Sequence, residues 1–207
     1  MMQTIKTKNG DYHFEPVHLY HGRKKIDRLL ARQNLLDIAP YLFKSSIRWG
    51  LIYGTLLGAI REKNFIEHDE DTDIFVLNED RQKFINILHE LKTENFKVAR
   101  FSDSLISVIR NNEYIDFYFF RCGLMGRRSG GYYIPNKFFR YFSHIELFEH
   151  NFPTLAKPIQ FLEYAYGINW KTPVSGSHAQ ARPPFWKIML KKIPFFVQLH
   201  KRFKKYE

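Results

Sequence analysis

The run Glu67-His68-Asp69-Glu70-Asp71-Thr72-Asp73 packs five carboxylates into seven residues of a chain whose formal net charge is +11. Like charges this close repel, and folding them together is costly without a counter-charge. The run leads straight into the apolar stretch Ile74-Phe75-Val76-Leu77. The acids therefore have to sit at the mouth of a buried strand, and the fold must be one that tolerates them there. A divalent metal resolves the conflict, and a metal in such a place serves to hold a diphosphate.

Asp71 and Asp73 are separated by one residue at the start of that strand, so alternation puts both carboxylates on one side. Asp116 lies in the middle of the aromatic run "YIDFYFF". A bare carboxylate buried there is expensive unless it shares a metal with the first pair, or accepts hydrogen bonds from a nearby arginine. Upstream, "YGTLLGAIREK" reads as a glycine turn opening a short helix, whose free N–H groups and positive dipole end suit an anion. Gly54 makes the turn, and Thr55 either adds a hydroxyl donor or caps the helix. Gly58 serves close packing. Arg61 and Lys63 either neutralise phosphate oxygens or stay on the surface.

The remaining pattern is that of a mixed α/β domain, helices packed on a small sheet. Residues 1–22 read as an extended lead-in. Apolar residues at helical spacing predict an amphipathic helix from Arg23 to about Phe43, ended or kinked near Pro40. "IRWGLIYG" predicts a short strand, "DTDIFVL" a second, and Glu79–Leu91 a helix. "NFKVARF", "SLISVIRN" and "EYIDFYFF", separated by turn residues, predict an antiparallel meander. "GRRSGG" reads as a flexible basic loop. From Tyr132 to Trp170 the chain is aromatic and irregular, with a helix near Pro158–Tyr166 that Gly167 caps.

A single cysteine, Cys122, excludes a disulfide framework and a cysteine zinc site. With no apolar leader and no run of about 18 apolar residues, the sequence predicts a cytoplasmic protein. The strong basic balance asks for an anionic partner. The tail from Trp186 to Tyr206 mixes aromatic and aliphatic residues with lysines and arginines. It suits an anionic membrane surface, which would make the protein peripheral on the inner face of a membrane. It equally suits a terminal helix with a charged outer face. The predicted division is a catalytic domain over 1–175 and a basic amphipathic segment over 176–207.

"YGTLLGAIREKNFIEHDEDTDIFV" resembles the signature of the LicD family of phosphotransferases, G-T-L-L-G-x-x-R followed after a spacer by D-x-D-x-D-I. "YIDFYFF" resembles the family's third-aspartate strand. "FPTLAKPIQFLEYAYGINWKTP" is similar to its late motif, a proline segment followed by Y-L-x-x-x-Y-G-x-x-W-x-x-P. The three blocks occur in family order over roughly residues 24–173. The resemblance implies a nucleotidyltransferase-type α/β fold. It implies Mg²⁺ (or Mn²⁺) on Asp71, Asp73 and Asp116, with Asp69 as a supporting acid and Gly54, Thr55 and Arg61 beside the diphosphate. Tyr166, Gly167 and Trp170 match the late motif, where a structural role is expected. The chain departs from the family at Glu67-His68, where Pro-Trp is usual, and that bears on the wall of the donor pocket.

The activity so implied is transfer of a phospho-alcohol (phosphocholine or a polyol phosphate) from a CDP-activated donor to a hydroxyl of a glycan or lipid-linked glycan. Two other readings stand behind it. A nucleotidyltransferase moving NMP from an NTP would use the same aspartates. A basic nucleic-acid-binding module would use the charge and the aromatics, but no nucleic-acid motif occurs and no nucleic-acid partner is expected.

Overall fold

The computed structural model describes residues 1–19 and 24–173. The basic tail, and with it the expected 176–207 segment and its membrane contact, lies outside the described residues. No helix among them is long and apolar enough to cross a membrane.

A hairpin of β1 (Gln3–Thr7) and β2 (Gly10–Phe14) opens the chain. Its inward residues Ile5, Tyr12 and Phe14 are buried, so this stretch is not the extended lead-in predicted. The signal was available in Asn9-Gly10 between two alternating runs; Gly10 takes φ +104 at the turn. Helix α1 (Arg28–Lys44) follows, capped by Asp27, whose carboxylate accepts from the Leu29 and Leu30 N–H groups. The helix runs past Pro40 to Lys44 instead of ending there. Leu42, beyond the proline, is fully buried, and that burial offsets the lost backbone bond.

The remaining elements build one mixed sheet. Its strands are β3 (Trp49–Leu51), β4 (Thr72–Leu77), β5 (Lys97–Phe101), β6 (Leu105–Arg110), β7 (Glu113–Cys122), β10 (Phe142–Leu147) and β11 (His150–Leu155), in the order β10-β11-β3-β4-β7-β6-β5. The predicted meander is β5-β6-β7, antiparallel throughout. Strand β4 pairs in parallel with β7, and both read as continuous apolar runs because both faces are covered. On the faces lie α1, α2 (Tyr53–Arg61), α3 (Arg81–Asn86), α4 (Leu88–Thr93) and α5 (Pro158–Tyr166).

Four local expectations are corrected. The helix expected over Glu79–Leu91 is α3 and α4, broken at Ile87. Ile85 and Ile87 are both buried, and a straight helix sets residues i and i+2 about 200° apart, too far to share one core face. "GRRSGG" is not a loop: β8 (Gly126–Ser129) and β9 (Tyr132–Pro135) form a hairpin around Gly130-Gly131, hung on the end of β7. The irregular aromatic region holds β10 and β11. Their turn, Phe148-Glu149, has both residues at positive φ without a glycine. Phe148 is held there by Phe65, at 5.4 Å between ring centroids, and by the Arg32 guanidinium over its ring. Finally, the backbone turn into α2 is made by Tyr53, the helix's first residue, at φ 44, and not by Gly54.

Candidate active site

The site gathers where β3 hands over to α2 and where β4 begins. The strand start is fixed by backbone: the Ile52 N–H donates to the Asp73 carbonyl at 3.2 Å, and the Asp73 N–H donates to the Thr55 hydroxyl at 2.8 Å. Thr55 is fully buried. Its hydroxyl therefore positions Asp73 and neither caps the helix nor faces an open anion site. The Gly54 N–H donates to Asp73 Oδ2 at 2.9 Å, fixing that carboxylate at the first turn of α2.

Gly54 matters for want of a side chain. A Cβ at that position would run into Asp69 Oδ2 and stand 3.1 Å from Asp73 Oδ2. The helix end thus closes on the acids only because nothing projects from it. Oxygens of Asp69, Asp71 and Asp73 all lie within 4.8 Å of one another. Asp69 and Asp71 are partly exposed, and Asp73 is buried. Burial pushes the carboxyls of Asp71 and Asp73 well above the usual carboxylate range, and the neighbouring acids, Asp116 among them, add to the shift. This is an all-oxygen donor set under a helix turn that bears no side chain, and it fits a hard divalent cation.

Asp116 is directly opposite Asp73 on β7. Its Oδ1 accepts from the Ser107 hydroxyl and its Oδ2 from Arg100 Nη2 at 2.7 Å. Burial raises its pKa, while Arg100, Ser107 and the Tyr118 hydroxyl pull it back. The sequence reading left Asp116 between a shared metal and an arginine partner. The structure supplies the arginine and also brings Asp116 beside the other acids.

Arg61, the cation expected beside a diphosphate, lies in the last turn of α2 and binds its neighbour Glu62 through Nη2 at 2.6 Å. That is about 10 Å of helix rise from Gly54. His68 and Lys63 are exposed.

Sequence reasoning missed the wall around the acids. Tyr53 packs against Tyr118 at 5.4 Å and Tyr132 at 5.1 Å between ring centroids. Burial raises the hydroxyl pKa of Tyr53, Tyr118 and Tyr166 strongly, and nearby Asp73 reinforces it. All three stay neutral donors at physiological pH. Tyr118 was legible, since it stands two residues from Asp116 and shares its strand face. Trp170, from the late motif, is buried, in keeping with the structural role expected.

Several known proteins resemble the chain. The family model described as LicD/FKTN/FKRP, nucleotidyltransferase domain, matches residues 46–164, more than half of the chain. The lipopolysaccharide cholinephosphotransferase LicD of Haemophilus influenzae is 31% identical over 80 residues, 38% of this chain and 30% of that protein. An uncharacterized protein of Rickettsia typhi is 32% identical over 88 residues, 42% of this chain and 28% of its own length. The chain thus matches less than a third of the length of either curated relative. Among solved structures, the lincosamide antibiotic adenylyltransferase LnuA with lincomycin bound superposes with a TM-score of 0.45 at 19% identity, over 63% of this chain and 83% of that one. ANT(2″)-Ia in solution gives 0.49 at 11% identity, over 86% of this chain and 96% of that one. With β4, Asp73 and Asp116 all inside the span matched, the chain belongs to the LicD/FKTN/FKRP nucleotidyltransferase-domain family.

Proposed function

We propose that this protein transfers a phospho-alcohol from a CDP-activated donor to a sugar hydroxyl of a glycan, with a divalent metal, Mg²⁺ or Mn²⁺, in the carboxylate cluster. The observation that carries this reading is the convergence of Asp69, Asp71 and Asp73 at the first turn of α2, inside a chain of this family. The relative named as a lipopolysaccharide cholinephosphotransferase supports the class of the transferred group and of the acceptor.

Asp71 and Asp73 hold the metal, Asp69 completes the cluster, and Asp116 faces it from the neighbouring strand. When bound, the metal supplies positive charge to the diphosphate oxygens. The acceptor oxygen forms a new bond to the phosphorus bearing the alcohol. The bond from that phosphorus to the bridging oxygen breaks, and CMP leaves with the electron pair. The acceptor's proton passes to an oxygen of Asp116, whose burial keeps it more basic than an exposed aspartate. The neutral hydroxyl of Tyr118 donates to the acids, and Tyr132 packs against its ring, so the wall beside the cluster adds no charge. Such transfers rest mainly on positioning and electrostatics.

The test is a panel of CDP-alcohols and NTPs, with and without Mg²⁺ and a glycan acceptor, read as CMP or pyrophosphate release. CMP release from one CDP-alcohol, reduced a hundredfold or more in Asp73→Asn, is the expected outcome. Pyrophosphate release from an NTP, with no CMP from any CDP-alcohol, would make the protein a nucleotidyltransferase instead.

A further inference from the structure

Four residues line up in register across four adjacent strands: Arg100 on β5 pairs with Ser107 on β6, Ser107 with Asp116 on β7, and Asp116 with Asp73 on β4. The row begins with a guanidinium and ends at the carboxylate held by the Gly54 N–H. It exists because β5 carries a bulge. Val98 pairs with Val108, yet the next pair is Arg100 with Ser107, so one extra residue, Ala99, is inserted. Without that insertion Ala99 would face Ser107, and Arg100 would point to the other side of the sheet. The Ala99 carbonyl so displaced accepts from the Val17 N–H at 2.8 Å, which ties the bulge to the N-terminal segment.

Arg100 is held by part of its fork. Nη2 donates to Asp116 Oδ2 at 2.7 Å and Nε to the Ser107 hydroxyl at 3.0 Å. Nη1 has no protein acceptor among the described residues, and the side chain is 39% exposed. Its charge also reaches Tyr114 and Tyr132, whose hydroxyl pKa values it lowers against the effect of the acids. A guanidinium locked in orientation on one edge and open to solvent on the other is ready for a second oxyanion, and its planar fork suits phosphate. Arg61, the cation otherwise to be expected there, is spent on Glu62.

We infer that Arg100 is a ligand for the diphosphate of the nucleotide donor, meeting its oxygens through Nη1 while Nη2 and Nε stay on Asp116 and Ser107. This rests on the phosphotransferase reading above. It adds to it a fixed protein cation beside the metal, one that neutralises charge on the departing phosphate.

The test uses the full-length chain loaded with Mn²⁺ and titrated by calorimetry with inorganic pyrophosphate and, separately, with CDP. Wild type, Arg100→Lys and Arg100→Met are compared, with Mn²⁺ affinity measured beforehand for each. The expected result is a tenfold or greater loss of affinity for both anions in Arg100→Met and partial recovery in Arg100→Lys. Mn²⁺ affinity should stay within twofold or tighten. A role confined to holding Asp116 would instead change Mn²⁺ affinity and leave anion affinity at saturating metal intact; that result overturns the proposal. Should Arg100→Met fail to fold, Arg100→Lys decides, since equal anion affinity in it and wild type overturns the proposal as well. Wild type that takes pyrophosphate but not CDP sinks the CDP donor alone, and the variants still judge Arg100 on pyrophosphate. Uptake of neither anion by wild type overturns both.

Discussion

Asp73 and Asp116 stand directly opposite each other on neighbouring parallel strands, share the Tyr118 hydroxyl, and are otherwise held from opposite sides. Asp73 is fixed from the helix side by the Gly54 N–H, and Asp116 from the sheet side by Ser107 and Arg100. Two buried acids in adjacent positions oppose folding, and these bonds keep them in place in spite of it. Strength spent on holding like charges together is the mark of a site kept for use and not for stability.

Gly54→Ala should damage metal binding more than it damages the fold. The added Cβ meets the Asp69 carboxylate and crowds Asp73. Overpacking of this kind costs about 1–3 kcal/mol, and the Asp69 carboxylate is the group able to yield. A tenfold or greater loss of Mn²⁺ affinity by calorimetry is expected, with the circular dichroism spectrum unchanged. Wild-type Mn²⁺ affinity in this variant would mean that Asp69 takes no part in the metal site.

Thr55→Val keeps the shape of a fully buried side chain and removes the oxygen that accepts from the Asp73 N–H. An unsatisfied buried donor costs about 1–3 kcal/mol. Urea unfolding should show a loss of that size, whereas Thr55→Ser should recover most of it. If valine were tolerated without loss, the hydroxyl would not be what anchors the start of β4.

Asp80 gives the fold a pH dependence of definite sign. Burial pushes its carboxyl up, but bonds from the Arg48 side chain and backbone and from Lys83 outweigh this and bring its pKa down to about 2. A depressed carboxylate stabilises the fold above its unfolded value of about 3.9 and loses that contribution as pH falls toward 2. Arg48 and Lys83 are each about half exposed, so solvent screening reduces the contribution to about 1–2 kcal/mol. Asp80→Asn should therefore be less stable than wild type by that amount at pH 6. The gap should close between pH 4 and pH 2 in denaturant titrations. A gap independent of pH would assign the loss to packing.

The acid-bearing half of the site was legible because its signals are local. Asp71 and Asp73 flank the first residue of β4, Asp116 sits inside an unbroken aromatic strand, and α5 spans the residues its periodicity marked. What stayed hidden depends on tertiary partners. Pro153 lies within β11, opposite His144 of β10, where a proline in sequence argues against a strand. The Phe148-Glu149 turn lacks the usual glycine, since ring packing holds it. Arg100 was not singled out from the 32 lysines and arginines of a basic chain. Only the extra residue at Ala99 turns it toward Asp116, and in a five-residue strand the slip it makes in alternation is too short to read.

The carboxylate cluster also has a consequence for order of arrival. Although the chain carries a net charge of +11, the field at the mouth of β4 is set by Asp69, Asp71, Asp73 and Asp116, with Arg100 as their partner. A phosphate that enters meets repulsion from whichever of these acids are ionised over its last few ångströms. A cation bound first reverses that sign. On the phosphotransferase reading proposed above, the residues that would hold the metal would also impose an ordered sequence, ion before anion, and the empty protein would refuse its own substrate.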